Sequence, residues 1–335
     1  MNSIASIIPL LSHPSRIVIT MHQKPDADAM GSALGLGHFL KKMGHEVTVI
    51  SPTNWAAWLN WMPGCSEVIN FEKFTEKAVE VLNNTQILFC LDFNIFHRTK
   101  NMASVLVSLN CVKALIDHHE QPDAPSFDFG ISETAKSSTC EMVYDFVVEA
   151  GMENSLDLTI AQCLYAGVVT DTGSFRFSST KASVHLMVAR LMATGLNHAQ
   201  IHSNLFDNFL ENRLRFIGHV LSNRLEFFYE VNTALIVITK QDLLKYEVKT
   251  GETEGLVNYP LSVQGIKFAG LVIDRDEERK WSFRSKGDFD CNTFARKYFN
   301  GGGHYNASGG NSKDLIPETV AKFKEAIHEN ETILQ

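Results

Sequence analysis

Short apolar runs alternate with amphipathic runs through the first half of the chain. Four of the apolar runs are rich in β-branched residues, as strands buried on both faces of a parallel sheet usually are. These runs span residues 16–22, 45–51, 87–93 and 112–119. Residues 30–44 have helical spacing instead and end at Gly44, a residue suited to a helix C-terminus. Strands that alternate with helices predict an α/β fold with an open, mostly parallel sheet and helices on both faces.

After Gly130 the pattern becomes helical. Residues 137–151 open with Ser138 and Glu141 in capping-box spacing, which predicts a helix start. Further helical runs are predicted over 156–175, 180–195 and 196–228.

A second α/β pattern begins near Tyr229. Its apolar runs predict strands over 233–239, 265–274 and 280–286. A glycine-rich loop and a last helix from about Pro317 follow. We therefore predict a first domain over 1–190, a helical linker over 191–228 and a smaller α/β domain over 229–335.

Composition supports a globular protein of two domains. The chain has 335 residues, of which 44% are hydrophobic and 20% charged. The apolar N-terminal segment 1–16 contains Pro9 and lacks a basic start, so we predict a first helix rather than a signal peptide. None of the six cysteines forms a C-x-x-C pair, which favours a reduced, cytoplasmic protein without a thiolate zinc site.

The formal net charge of −8 limits the class of partner. A protein that binds long nucleic acid usually carries a basic face, so this charge argues against long duplex nucleic acid. It leaves room for a small phosphorylated substrate, because bound divalent cations can reverse the sign of a local acidic site.

Aspartates and histidines follow the predicted strands. The first strand leads into the stretch "HQKPDAD", the third ends at Asp92, and the fourth ends in "DHH". In an open α/β sheet, ligands bind beyond the carboxyl ends of the strands. We therefore expect one site built from two imidazoles and four carboxylates: His22, Asp26, Asp28, Asp92, His118 and Asp171. Taken singly, each residue also fits a solvated turn or a helix cap, and only their combination favours a site.

Four carboxylates in one site need positive charge, and two divalent cations supply it. Oxygen and imidazole ligands suit Mn²⁺, with Mg²⁺ or Co²⁺ as alternatives. Two such cations clamp the attacking and leaving oxygens in phosphoryl transfer. Neighbouring side chains on a strand point to opposite faces, so His118 and His119 are not expected to bind the same metal.

The stretch "FNGGGHYNASGG" at 299–310 predicts a glycine-rich loop that lets the backbone approach a ligand closely and whose exposed N–H groups could hold phosphate. A mobile surface loop is the alternative. His304 within it and Arg284 on a preceding strand favour anion binding, because guanidinium groups grip phosphate with two hydrogen bonds.

Several of these motifs resemble a known family. "HQKPDADAMGSALG", "CLDF", "IDHH" and "VVTDTGSF" resemble the four metal motifs of the DHH phosphoesterase superfamily, and "SFRSKGDFDCNTFARKYFNGGGHYNASGG" resembles its DHHA1 domain. A chain of this length with both looks like the nanoRNase and pAp-phosphatase type. The resemblance implies a DHH metal-binding domain over 1–190, a DHHA1 substrate-binding domain over 229–335 and an active site in the cleft between them.

The resemblance also implies roles for individual residues. His22 and Asp26 would hold one metal ion. Asp28, His118 and Asp171 would hold the other, and Asp92 would bridge the two. The catalytic group would be Asp92, His118, His119 and Asp171, with His119 near the leaving group. Substrate would be bound by Arg98, Arg284, Gly301, Gly302, Gly303 and His304.

Two departures from the family pattern affect the expected substrate. Ala27 stands where the family usually has glycine, and residues 305–308 read "YNAS" where a basic residue and two alanines are common. The metal ligands are unaffected by either change. Substrate preference around the glycine-rich stretch is therefore the least fixed property.

From these features we expect a two-metal enzyme that hydrolyses short oligoribonucleotides to 5′-mononucleotides and, as a second substrate, 3′-phosphoadenosine 5′-phosphate to AMP. A cyclic or linear dinucleotide phosphodiesterase (c-di-AMP or pApA) is one alternative. A metal-dependent nucleotide-binding regulator without turnover is an alternative from another class. No membrane partner is expected, and a homodimer is left open.

Overall fold

The computed structural model describes residues 1–275 and 278–335, which form two compact units, Met1–Asn208 and Phe209–Gln335. The segment for which a helical linker is predicted, 191–228, is shared between them. Its first part contains a helix of the first unit, and its second part contains a helix and a strand of the second.

The first unit contains a seven-stranded sheet in which every pairing is parallel. Its strands are β1 (Asn2–Ser3), β2 (Arg16–Met21), β3 (Glu46–Ser51), β4 (Ile69–Asn70), β5 (Ile87–Leu91), β6 (Val112–Asp117) and β7 (Phe129–Ser132), in the order β1-β7-β6-β5-β2-β3-β4. The four strands predicted from the sequence are therefore neighbours at the centre of this sheet.

Helices cover both faces of this sheet, as predicted. They are α1 (Ala27–Lys42), α2 (Thr75–Asn83), α3 (Ala103–Ser108), α4 (Thr139–Glu149), α5 (Leu158–Asp171), α6 (Ala182–Met192) and α7 (His198–Phe206). On β2, Ile17 and Ile19 enter the core beneath α1, α4 and α5, while Val18 enters the core beneath α2 and α3. This alternation follows from the two-residue period of a strand.

The first helix predicted near the N-terminus is present, as a 3₁₀ helix over Ile4–Ser12 that buries Ile4, Ile7 and Leu11. Two other local predictions in the first unit are wrong. The chain is not yet helical after Gly130, since β7 runs to Ser132. α1 begins at Ala27 rather than at Met30, because the Asp26 carboxylate caps it.

The second unit contains a six-stranded mixed sheet. Its strands are β8 (Leu225–Phe228), β9 (Thr233–Ile238), β10 (Phe268–Asp274), β11 (Arg279–Ser285), β12 (Gly302–His304) and β13 (Ala307–Ser312), in the order β12-β13-β11-β10-β9-β8. Among the described residues of this unit, only β9 and β10 pair in parallel. Its helices are α8 (Glu211–Asn223), α9 (Lys240–Lys245), α10 (Cys291–Phe299), α11 (Ile316–Glu329) and α12 (Glu331–Leu334). β8 lies where a helix is predicted.

The glycine-rich stretch is a β-hairpin, which corrects the prediction of a loop. β12 and β13 pair at Gly302 with Gly309 and at Gly303 with Ser308. A Cβ atom on Gly301 would lie 2.0 Å from the Gly309 carbonyl oxygen. The glycines therefore allow close backbone packing, and the Gly303 N–H donates to Asn292 Oδ1 at 3.0 Å.

None of the helices in the described residues is both long and apolar enough to cross a membrane.

Asp242, a buried residue at the start of α9, joins three elements of the second unit. It accepts hydrogen bonds at 2.9 Å from Arg224 Nε, Arg224 Nη2 and His219 Nε2, and at 2.7 Å from Thr239 Oγ1. Burial alone would raise the pKa of Asp242, but the bonds from Arg224, Thr239 and His219 outweigh it and lower the pKa below its usual range.

We expect Asp242→Asn to lower the free energy of unfolding of the second unit by about 1–3 kcal/mol, because an amide accepts fewer of these bonds. A carboxylate with a lowered pKa stabilises the fold above its ordinary pKa, and this contribution is lost as the pH falls. The difference between wild type and variant should therefore be full at neutral pH and shrink below about pH 4. Urea unfolding at several pH values measures it, with Glu211→Gln, at an exposed residue of α8, as the control. Equal stability at pH 7 would contradict the prediction.

Candidate metal centre

The six side chains predicted to form a site meet at one edge of the first sheet. β2, β5 and β6 are neighbours there, and each of them leads directly into residues of the site. The N-terminus of α1 and the C-terminus of α5 supply the others. Two overlapping groups of donor atoms result, one formed by His22, Asp26 and Asp92 and the other by Asp28, Asp92 and His118.

The first group is centred on the His22 imidazole. Its Nδ1 donates to the Gln23 carbonyl oxygen at 2.8 Å, so Nε2 is the ring nitrogen that faces the carboxylates. Nε2 lies 3.3 Å from Asp92 Oδ2 and 3.7 Å from Asp26 Oδ2. Asp26 Oδ1 accepts from the backbone N–H groups of Asp28 and Ala29 at 3.0 Å, so the capping bond orients the other oxygen towards His22.

The second group surrounds His118 Nε2. This nitrogen lies 3.4 Å from Asp92 Oδ1, 3.4 Å from Asp171 Oδ2 and 3.8 Å from Asp28 Oδ2. Asp28 and His118 are buried, while Asp171 is partly exposed. The interior of the centre is therefore buried, while solvent reaches its edge at Asp171.

Asp92 belongs to both groups. One carboxylate oxygen faces His22 and the other faces His118. The residue comes directly after β5 and has a φ of +62°, a left-handed conformation that aspartate adopts more readily than most residues. Its backbone N–H still donates to the Ile116 carbonyl at the end of β6. The turn therefore places this carboxylate between the two groups.

The N-terminus of α4 holds two of the carboxylates, a feature that the sequence analysis missed. The backbone N–H groups of Thr139 and Cys140 donate to Asp28 Oδ2 and Oδ1, at 2.7 and 2.9 Å. The Thr139 hydroxyl donates to Asp92 Oδ1 at 2.9 Å. The partial positive charge at a helix N-terminus favours this arrangement. The "SSTCE" capping signal predicts the helix start, but it does not indicate that this helix start contacts Asp28 and Asp92.

Burial and mutual charge set the protonation of the centre. Burial, and then the charge of Asp92, raise the pKa of Asp28 to about 7. Burial alone would lower the pKa values of His22 and His118, but the carboxylates around each imidazole raise both to about 10. Without cations, protons on these imidazoles therefore balance part of the negative charge.

This donor set fits a pair of divalent cations. The donors are carboxylate oxygens and imidazole nitrogens, which suit Mg²⁺, Mn²⁺ and similar ions. The nitrogen–oxygen distances of 3.3–3.8 Å exceed those of strong charged hydrogen bonds and are compatible with donors around a shared ion. Because cation binding must displace protons from the imidazoles, it should weaken as the pH falls.

His119 and Arg98 also lie at this edge. β6 ends at Asp117, so strand alternation no longer governs the two histidines that follow it. His119 Nδ1 lies 2.7 Å from Asp117 Oδ1 and 3.8 Å from Asp92 Oδ1. Burial and the Arg98 charge lower the pKa of His119 well below its usual range, so the ring is neutral. Arg98 Nη1 lies 3.4 Å from the Asp92 carbonyl oxygen.

The other predicted site residues lie in the second unit. Arg284 on β11 pairs with Ala307 on β13, and Ala307 pairs with His304 on β12. Directly paired residues project from the same face of a sheet, so Arg284 and His304 flank the small Ala307 side chain in one row. Gly301, Gly302 and Gly303 lead into and form the strand that carries His304.

Gly167 on α5 leaves the space that Asp28 occupies. A Cβ atom there would lie 2.3 Å from Cys140 Sγ and 2.8 Å from Asp28 Oδ1. We expect Gly167→Ala to lower the free energy of unfolding by about 1–3 kcal/mol and to weaken divalent cation binding, because Asp28 must move. Thermal unfolding and calorimetric titration with Mn²⁺ measure the two effects.

Gly218→Ala is the matched control, because that helical glycine has nothing within 4 Å of an added Cβ. It should leave cation binding unchanged and keep or slightly raise stability. Wild-type cation affinity in Gly167→Ala would show that the position of Asp28 does not matter.

An open parallel sheet with an aspartate–histidine centre at its strand ends, followed by a mixed-sheet unit, defines a two-unit α/β metal-binding protein. The N-terminal domain of the DHH family matches residues 16–168, and the DHHA1 domain matches residues 232–331. The chain therefore belongs to the DHH family, whose members use divalent metal ions, and it carries a C-terminal DHHA1 domain.

Three known proteins illustrate the relationship. The bifunctional oligoribonuclease and PAP phosphatase NrnA of Bacillus subtilis is 28% identical over 305 residues, which cover 90% of this chain and 91% of that protein. The structure of an exopolyphosphatase-related protein from Bacteroides fragilis has a TM-score of 0.93 and 34% identity, covering 99% of this chain and 97% of that one. The cyclic-di-AMP phosphodiesterase GdpP of B. subtilis is 23% identical, and the match covers 96% of this chain and 48% of GdpP.

Proposed function

We propose that this protein hydrolyses phosphate esters of short oligoribonucleotides, releasing 5′-mononucleotides, and converts 3′-phosphoadenosine 5′-phosphate to AMP. The observation that carries the proposal is the convergence of six carboxylate and imidazole side chains at the ends of β2 and β5, directly after β6, at the N-terminus of α1 and at the C-terminus of α5. The match to NrnA over nearly the full length of both chains supports the substrate class.

Two cations, most simply Mn²⁺, would be held in the two groups of donor atoms. His22 and Asp26 would bind one ion, Asp28, His118 and Asp171 the other, and Asp92 both. When bound, the ions would polarise the phosphoryl group and stabilise the charge that develops on its oxygens. These carboxylates hold this geometry in advance, because backbone N–H groups already fix partly exposed Asp26 and buried Asp28.

The remaining residues of the centre would act on the substrate. His119 is neutral and held by Asp117, so it can orient the leaving oxygen without adding a charge. Arg98 adds a positive charge beside the centre. In the second unit, the row formed by Arg284, Ala307 and His304 would bind phosphate, with the small Ala307 side chain leaving space between the two larger groups.

The phosphate-binding groups named above are few, and this suits a short substrate. The net charge of −8 gives little long-range attraction for a long phosphate backbone, so added length should bring little added affinity. The six cysteines are free thiols, which agrees with action in the cytoplasm.

The test is hydrolysis of labelled RNA of two, five and twenty-four nucleotides at matched salt with Mn²⁺. We expect kcat/KM to fall by about tenfold or more between the two-mer and the longest RNA. Equal or rising efficiency on the longest RNA would instead indicate a processive exonuclease. Absence of hydrolysis on every substrate, with cations bound, would indicate a nucleotide-binding regulator.

A second candidate is hydrolysis of cyclic or linear dinucleotides, which the match to GdpP favours. The same assay distinguishes the two when it includes c-di-AMP, pApA, 3′-phosphoadenosine 5′-phosphate and polyphosphate. Higher kcat/KM on c-di-AMP than on RNA dinucleotides would favour the second candidate.

A further inference from the structure

We propose that Thr139 is a positioning residue of the metal centre, which fixes Asp28 and Asp92 relative to each other. The inference rests on the proposed function, because it assumes that these two carboxylates bind cations. Thr139 is the first residue of α4 and is fully buried.

Thr139 contacts both carboxylates directly. Its backbone N–H donates to Asp28 Oδ2 at 2.7 Å, and its hydroxyl donates to Asp92 Oδ1 at 2.9 Å. A carboxylate oxygen only accepts, so the hydroxyl hydrogen must point to Asp92. Asp28 lies on α1 and Asp92 follows β5, so one residue of a third element ties two distant parts of the chain together.

The hydroxyl is not needed to cap its own helix. Ser138 is the N-cap of α4, and its side chain accepts from the Glu141 N–H at 3.0 Å. Ser138 therefore meets the local need that a hydroxyl at a helix start usually serves. The Thr139 hydroxyl therefore donates its hydrogen bond to Asp92 instead of capping α4.

The bond to Asp92 Oδ1 restricts how that carboxylate can turn. The same oxygen lies 3.4 Å from His118 Nε2, while Oδ2 faces His22. An oxygen has a second lone pair, so the bond leaves Oδ1 able to bind a cation while holding the carboxylate plane. Hydrogen bonds of this kind typically change metal affinity by about 10- to 100-fold when they are removed.

The experiment compares Thr139→Val with Thr139→Ser. Valine has nearly the same shape and keeps the backbone N–H to Asp28 but lacks the hydroxyl, whereas serine keeps the hydroxyl. Thr194→Val is the control, because the Thr194 hydroxyl donates to the Leu191 carbonyl oxygen in the turn that follows α6, away from the carboxylates. Calorimetric titration of each metal-free protein with Mn²⁺ gives the affinity without any substrate, and thermal unfolding checks the fold.

We expect Thr139→Val to bind Mn²⁺ about tenfold or more weakly. Thr139→Ser should stay within about threefold of wild type, a range that retention of the hydroxyl bond implies. Thr194→Val should match wild type. Wild-type affinity for Mn²⁺ in Thr139→Val would overturn the proposal. Equal losses of Mn²⁺ affinity in the valine and serine variants would also overturn it, because they would show that the hydroxyl bond is not what sets the affinity. A wild-type protein that binds Mn²⁺ but hydrolyses nothing would refute the proposed function while leaving this comparison intact.

Discussion

Asp92→Asn should reduce turnover by about 10³-fold or more, the largest effect of any single substitution. Asp92 is the only one of the six proposed ligands that faces both imidazoles, at 3.3 Å from His22 and 3.4 Å from His118. An amide lacks the negative charge and one of the two oxygens, so one group loses its oxygen donor and the other keeps only a neutral, weaker one. Asparagine tolerates the left-handed conformation of this position, which makes it a cleaner substitution than alanine.

Turnover at saturating Mn²⁺, bound metal and unfolding should be measured on the same preparation. Asp123→Asn, at an exposed aspartate, is the control and should keep wild-type activity. Loss of activity with normal unfolding and reduced bound metal is the expected result. Wild-type turnover in Asp92→Asn would show that the two groups do not share this ligand.

Arg284→Ala should lower kcat/KM by about 10- to 100-fold, mainly through KM, which is the second largest effect that we expect. A charge-assisted hydrogen bond to phosphate contributes about 1.5–3 kcal/mol, and about 1.4 kcal/mol corresponds to tenfold. Binding of this kind acts in the ground state and the transition state alike, so KM rises more than kcat falls. Bound metal should be unchanged, since the six ligands all lie in the first unit.

Arg215→Ala is the matched control, because that arginine pairs only with exposed Glu211 on α8 in the described contacts. Steady-state kinetics on an RNA dinucleotide with elemental analysis of bound metal checks both expectations. Loss of metal in Arg284→Ala would place this residue in the metal centre. Unchanged KM would remove it from substrate binding.

The centre of the first sheet and its site follow from local patterns. Strands β2, β3, β5 and β6 are largely buried, so their runs are rich in apolar, β-branched residues and easy to recognise. Parallel strands all end at the same edge, which is why Asp92 and His118 could be grouped although they lie far apart from His22 in sequence. The candidate site was therefore predictable without long-range information.

Other features depend on contacts that local patterns do not encode. β1, β4 and β7 have two to four residues, too few for periodicity to appear. The glycines at 301–303 are typical of a loop, but Gly301 and Gly303 lie against the backbone of β13, where an added Cβ would be 2.0 Å from the Gly309 carbonyl oxygen and 2.6 Å from that of Ala307. Thr139 reads as an ordinary helix start, and its role emerges only when α4 reaches Asp28 and Asp92.

Titration of the metal-free protein with Mn²⁺, while hydrolysis of an RNA dinucleotide is followed, tests the two-cation centre most directly. We expect activity to appear only as the second equivalent of Mn²⁺ binds, because the two groups of ligands share Asp92 and act together. Full activity at one equivalent, or activity that persists after all divalent cations are removed, would contradict a two-cation centre at these six residues.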